Sequence, residues 1–209
     1  MTRIRPCGDD ALRIEPADLH DRHDIALHLR ACGTWPEVVT GRTTVTVQVD
    51  LARLGLDQAR TLLDAQLAGV APRATRATVP LVLPARFGGE AGPDLDDLAA
   101  RTGMAAADIV RALCDSPLRV DLVGFTPGFA YLDGVDPALQ AQRLATPRRR
   151  VAAGSIGLLT GQVGLYALAG PGGWPLVGRI CRPLFDGAAT PPFLLHTGQP
   201  VRLQAVDGP

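Results

Sequence analysis

Beyond residue 120 this chain cannot hold a long helix, because glycine and proline cut its apolar runs short. Eleven of the 23 glycines fall between Gly124 and Gly178. Inside a helix a glycine costs about 1 kcal/mol against alanine, and a proline about 3 kcal/mol. What remains is a series of short apolar runs between turns: RVDLVGF (119–125), SIGLLTG (155–161), VGLYALA (163–169), PLVGRI (175–180) and PVRLQAV (200–206). Many short strands with glycine-rich turns predict a barrel or a closed sandwich. GFTPGFAYLDG (124–134) is the extreme case. It carries Phe125, Phe129 and Tyr131 on a backbone that Pro127 and Gly128 deny to a helix and weaken as a strand.

The first 76 residues read differently. HDIALHLRACG (23–33) has a helical pattern that closes on Gly33. TTVTVQVD (43–50) alternates, sending Val45, Val47 and Val49 to one face and Thr44, Thr46 and Gln48 to the other. DQARTLLDAQLAG (57–69) predicts a helix with Asp57 as N-cap and Gly69 as its stop. Strand and helix together suggest a small α+β sandwich. VAPRATRA (70–77) reads as a linker, and TVPLVLPA (78–85) as an edge strand or bend, because of its prolines. DLDDLAARTG (94–103) and MAAADIVRALC (104–114) predict a helical pair.

Charge and residue usage exclude several chemistries. The 21 basic and 21 acidic residues cancel, so no global field favours nucleic acid or an anionic membrane. All 21 basic residues are arginine, which removes Schiff-base lysines and the P-loop lysine. Cys7, Cys32, Cys114 and Cys181 are scattered and form no CxxC pair, which predicts reduced thiols and a cytoplasmic protein. No signal-peptide run opens the chain, and no stretch is apolar enough to span a membrane.

The helical pair has a helix-turn-helix outline, but Asp94 to Asp115 carries five aspartates against two arginines, which would repel phosphates. It reads as two packed helices. His20 and His23 are spaced for one helical face, yet lie among Asp18, Asp21, Arg22 and Asp24 and read as a solvated helix start, so no metal site is expected. His196 follows an apolar run and reads as the end of a strand. GPGGWPLVG (170–178) lacks the spacing and the strand-to-helix context of a nucleotide cradle. ATPRRRVAAGS (145–155) places Arg148 and Arg150 on one face of a strand and Arg149 on the other, if alternation holds. Arginine is the bidentate partner of carboxylates and phosphates. A solvated arginine turn is the ordinary alternative.

GFTPGFAYLDG, ATPRRRVAAGSIG, TGQVGLYAL and GPGGWPLVGR, in that order, resemble the signature blocks of the allophanate hydrolase subunit 1 family. That family takes in the B subunit of 5-oxoprolinase, a bacterial sporulation-kinase inhibitor and half of the carboxyltransferase region of urea carboxylase. GDDAL (8–12), WPEVV (35–39) and FGGEAGPDL (87–95) extend the resemblance over nearly the whole chain. It implies an α+β N-terminal domain over 1–76. A mainly β, cyclophilin-like barrel over 77–209 would follow, with the helical pair at 94–114. It further implies a small-molecule pocket lined by Phe129 and Tyr131. Arg148, Arg150, Gln162, Tyr166 and Arg179 would be the polar groups, and Cys114, Val163, Trp174 and Ile180 further lining. The implied activity opens 5-oxoproline or a related amide with ATP, and needs a second carboxyltransferase-like subunit. ATP would enter through the complex, with no cofactor held by this chain.

The chain departs from the family pattern in one chemical direction. Cys114 stands for a histidine, Leu118 for a tyrosine, Val163 and Ile180 for threonines, and Ala152 and Ala167 for prolines. Several hydrogen-bonding groups have become apolar, each worth about 0.5–1.5 kcal/mol when paired. Three readings therefore stand: a partner-dependent hydrolase subunit, a stand-alone barrel refitted to cyclise or rearrange an apolar metabolite, and a regulatory binding module. The second predicts that Cys114, Val163 and Ile180 line one cavity.

Overall fold

A computed structural model describes residues 2–19, 21–70 and 79–206, so His20 and all of the expected linker except Val70 lie outside the described residues. The chain divides into two compact units, Met1–Ala77 and Thr78–Pro209.

The first unit runs β1 (Arg3–Pro6), β2 (Ala11–Glu15), α1 (Asp21–Ala31), β3 (Val38–Thr40), β4 (Val45–Gln48) and α2 (Leu56–Ala68). The strands form an antiparallel sheet in the order β1-β2-β4-β3. Val45 and Val47 are fully buried with Leu12 and Ile14 of β2, against Ile25 and Leu29 of α1 and Leu63 of α2. The alternation in 43–50 thus sets which face of the sheet meets the helices. α2 begins earlier than expected. Its N-cap is Gly55, whose amide donates to the Gln58 side chain at 3.3 Å, and Asp57 falls inside the first turn, where its charge suits the helix dipole.

The second unit continues with β5 (Leu81–Phe87), α3 (Leu95–Thr102), α4 (Ala106–Asp115), β6 (Arg119–Val123), β7 (Ala130–Asp133), β8 (Arg148–Val151), β9 (Ser155–Leu159), β10 (Gln162–Leu165), β11 (Gly170–Gly172), β12 (Leu176–Ile180) and β13 (Val201–Ala205). All five apolar runs become strands. Seven strands form one mixed sheet, β13-β5-β12-β9-β10-β7-β6, and β8 and β11 form a separate two-stranded ribbon. The sheet curls until its edge strands meet: Val201 N–H donates to Leu118 O at 2.9 Å, and Arg119 bridges Pro200. It is a curled, partly closed barrel.

The structure corrects two further expectations. β5 is no edge strand: it pairs with β12 on one side and β13 on the other. Pro84 is tolerated there because its carbonyl still accepts Cys181 N–H at 2.8 Å and its missing donor falls where β12 ends. His196 ends no strand. It sits exposed in the turn before β13, its amide donating to the Gln199 side chain.

The two faces of the sheet are packed differently. Ala130, Leu132, Ile156, Leu158, Val163 and Leu165 point to one face and join the main core with Leu98, Ile109 and Leu113 of the helices. The opposite face is glycine-floored and aromatic.

Candidate functional site

The second face is built on two facing glycines. Gly164 of β10 lies between Tyr131 of β7 and Gly157 of β9 in the register. A Cβ on Gly164 would stand 2.7 Å from Phe129 and 3.0 Å from Trp174, and one on Gly157 would stand 3.0 Å from Trp174. The absent side chains leave a trough, and the rings fill it. Phe129 is the hub, with ring centroids 4.7 Å from Tyr131, 4.8 Å from Tyr166, 6.1 Å from Trp174 and 5.5 Å from Phe125, all edge-to-face. Such pairs contribute about 0.5–1.5 kcal/mol each beyond burial.

GFTPGFAYLDG is the loop and strand that deliver these rings. Thr126-Pro127-Gly128-Phe129 closes with Phe129 N–H to Thr126 O at 3.0 Å and Gly128 at φ 73°. That is a type II turn, with proline and glycine at the positions it demands. A Cβ on Gly128 would also collide with Phe193. The chain then enters β7, which places Tyr131 on the aromatic face. The irregular stretch is thus half turn and half strand.

The β8–β11 ribbon brings the charges. Three steps along β8, Arg148 to Val151, oppose two along β11, Gly170 to Gly172. This bulge breaks the expected alternation. Arg148 is half-buried and Val151 packs with Tyr166, while Arg150 is exposed, so Arg148 and Arg150 are not a matched pair. Arg148 Nη2 binds Asp94 Oδ1 at 2.7 Å. Asp94 Oδ2 accepts Leu176 N–H at 2.6 Å, and Asp94 N–H donates to Leu176 O at 3.0 Å. Asp94 opens α3, but its carboxylate makes no cap there and serves the arginine instead. Arg148 Nη1 is buried without a hydrogen-bond partner. Arg143 sits over Trp174 at 5.8 Å from the ring centroid.

These groups act on one another. Burial pushes the Tyr131 phenol above its ordinary value of 10, against an opposing pull from Arg143. Burial raises Tyr166 too, Tyr131 adds to the rise, and Arg143 and Arg148 oppose it. Both phenols are therefore neutral donors near pH 7. Arg143, Arg148, Tyr131, Tyr166 and Trp174 form one cluster in which cations and neutral donors meet an aromatic wall, suited to an anionic or carbonyl-bearing small molecule.

Other expected residues are placed elsewhere. Phe129 and Trp174 are 2% and 4% exposed, so they build the wall rather than present a free surface. Gln162 is buried on β10. Arg179 is exposed on β12 and reaches only the Glu90 carbonyl among the hydrogen bonds described, at 3.5 Å. Val163 and Ile180 lie in the main core, on the other side of the sheet. Cys114 lines a separate groove of about 900 Å³ between α4 and β13, with Val110, Arg111, Arg202 and Gln204. Burial raises its thiol, partly offset by the Ala205 backbone, and Asp115 raises it further, so it is a poor nucleophile. The three do not line one cavity. Arg143 lies in no motif, and Asp94 lies in FGGEAGPDL without a site role marked for it there, so only the folded chain brings them in. Among the described residues no group of three metal-ligating side chains occurs, and no helix is long and apolar enough to cross a membrane.

This curled sheet recurs in known structures. Kluyveromyces lactis urea carboxylase matches it with a TM-score of 0.74 over 99% of this chain and 22% of that one, at 17% identity, a likeness of fold. TTHA0988 matches with a TM-score of 0.78 over 100% of this chain and 41% of that one, at 29% identity. The chain belongs to the family described as carboxyltransferase domain, subdomain C and D, whose model matches residues 2–195. The B subunit of 5-oxoprolinase from Escherichia coli O157:H7 is 42% identical over 120 residues, which span 57% of this chain and 55% of that protein. The match thus spans about half the length of such curated relatives.

Two outcomes are expected. Gly164→Ala should destabilise the protein by about 1–3 kcal/mol in urea unfolding, because its methyl has no room beneath the rings. Tyr131 and Tyr166 are the only tyrosines, so tyrosinate absorbance reads this site alone. Their neutral forms are favoured by the fold, so their contribution to stability is present below pH 10 and is lost as pH rises through the raised folded values. Both tyrosinate midpoints should lie above 10, and Tyr131→Phe should lower the midpoint of Tyr166.

Proposed function

We propose that this chain is the small-molecule-binding subunit of an ATP-dependent amide- or lactam-opening complex of the 5-oxoprolinase type. The carrying observation is the cluster in which the buried, unpartnered Arg148 Nη1 and the phenols of Tyr131 and Tyr166 meet a wall of aromatic rings. In this reading Arg148, braced by Asp94, takes the ligand carboxylate. The neutral Tyr131 phenol donates to the amide oxygen, Tyr166, 2% exposed, backs it from within the wall, and Arg143 closes the outer side. The likeness to the B subunit of 5-oxoprolinase supports the substrate class. The matched region is 41% of TTHA0988 and 22% of the urea carboxylase chain, a domain that recurs joined to further parts. That supports a second carboxyltransferase-like subunit as partner.

ATP enters as a substrate of the complex. GPGGWPLVG runs from β11 to β12, strand to strand, and lacks the helix whose N-terminus would cradle phosphates. We read the curled sheet as cyclophilin-like, and the four free cysteines as those of a cytoplasmic protein. The separation of Cys114, Val163 and Ile180 weighs against a barrel refitted for an apolar metabolite.

The test is calorimetric titration of the purified chain with 5-oxoproline. The wild type should bind, and Arg148→Ala should weaken binding by about 1.5–3 kcal/mol, roughly 10- to 150-fold. Equal affinity in the variant removes Arg148 from the site. A wild type that binds none of the small polar amides overturns the reading.

A further inference from the structure

We infer that Phe125 is a specificity-determining residue of this site, its ring held out to meet the hydrocarbon flank of the bound molecule. This rests on the reading of the aromatic cluster given above. Phe125 is the one non-glycine residue at positive φ among the described residues, at 68°. Thr126 N–H donates to Gly124 O at 2.9 Å, which closes a three-residue turn about Phe125. A γ-turn of positive φ is rare because it crowds any Cβ.

Among the ring contacts described, a single edge-on pair with Phe129 is all that offsets that crowding. The ring is 63% exposed, so burial does not compensate for it. A glycine at 125 would make the same turn without strain. Gly124, one residue away, does not take positive φ. What the turn gains from phenylalanine is the position of its ring. That ring stands edge-on to Phe129, interplanar angle 79°, and Phe129 touches Tyr131, Tyr166 and Trp174. Phe125 is the exposed end of the ring cluster that carries the phenols. A single exposed aromatic is ordinary on a protein surface. One held in a strained turn at the rim of a candidate site points to contact with a ligand. The arginines would hold the polar end of a lactam, and Phe125 its methylene side.

The experiment compares wild type, Phe125→Gly and Phe125→Ala by calorimetric titration with 5-oxoproline and with acetate, alongside thermal unfolding. Acetate offers a carboxylate and almost no hydrocarbon flank. Phe125→Gly should unfold at or above the wild-type temperature, since the strain is relieved. Its affinity for 5-oxoproline should fall about 5- to 10-fold, with acetate binding unchanged. Phe125→Ala, which keeps a Cβ at positive φ, should show the same loss of affinity. Wild-type affinity for 5-oxoproline in both variants overturns the inference and leaves the site reading standing. An equal loss for both ligands makes Phe125 a prop of the turn and also overturns it. A wild type that does not bind 5-oxoproline overturns the site reading and this inference together.

Discussion

Two side chains that are absent decide the character of the second unit. Gly157 and Gly164 face each other across adjacent strands, and no other residue type would let Phe129 and Trp174 lie so close to the sheet. The same strands bury Val163, Leu158 and Ile156 on the reverse face. One sheet thus holds a conventional apolar core on one side and a shallow bed of rings on the other. The bed gathers the Tyr131 and Tyr166 phenols within electrostatic reach of Arg143, and Tyr166 within reach of Arg148.

The polar half of the site depends on a carboxylate that touches no ligand in the proposed scheme. Asp94 grips the Leu176 backbone by two hydrogen bonds and turns its remaining oxygen to Arg148. The arginine is aimed by a group fixed to the sheet, with Nη2 bound to Asp94 and Nη1 buried without a hydrogen-bond partner. Because arginine does not lose its proton in the working range and both phenols hold theirs past neutrality, the donor set is constant across physiological pH.

Much of this architecture was legible in the sequence. The alternation of Val45, Val47 and Val49 and the glycine-cut runs after 120 marked the strands, since period and breakers are local properties. Tyr131 of the ring-bearing motif and Tyr166 of TGQVGLYAL, both singled out in the sequence, fall in one ring cluster around Phe129. Pairing was not legible: β5 looked like an edge because its prolines are local, while its two partners lie about a hundred residues away. The bulge in β8 separated Arg148 from Arg150 for the same reason, because it is defined only against β11. Asp94 was hidden inside a helix-start pattern, where a capping role is the usual reading of such a residue. Arg143 sits in a segment with no periodicity at all.

The parallel pairing of β13 with β5 has a consequence for how the unit is assembled. Leu81 of β5 lies beside Val201 of β13, with the rest of the barrel between them in the chain. On its other side β5 waits for β12. During synthesis the β6–β7 hairpin and the α3–α4 pair can form from neighbouring residues, but β5 must stay unpaired on both edges until β12 and β13 leave the ribosome. An apolar strand in that state is open to pairing with other chains. The order in which the barrel's pieces emerge therefore makes β5 the element that most needs protection before the fold is complete.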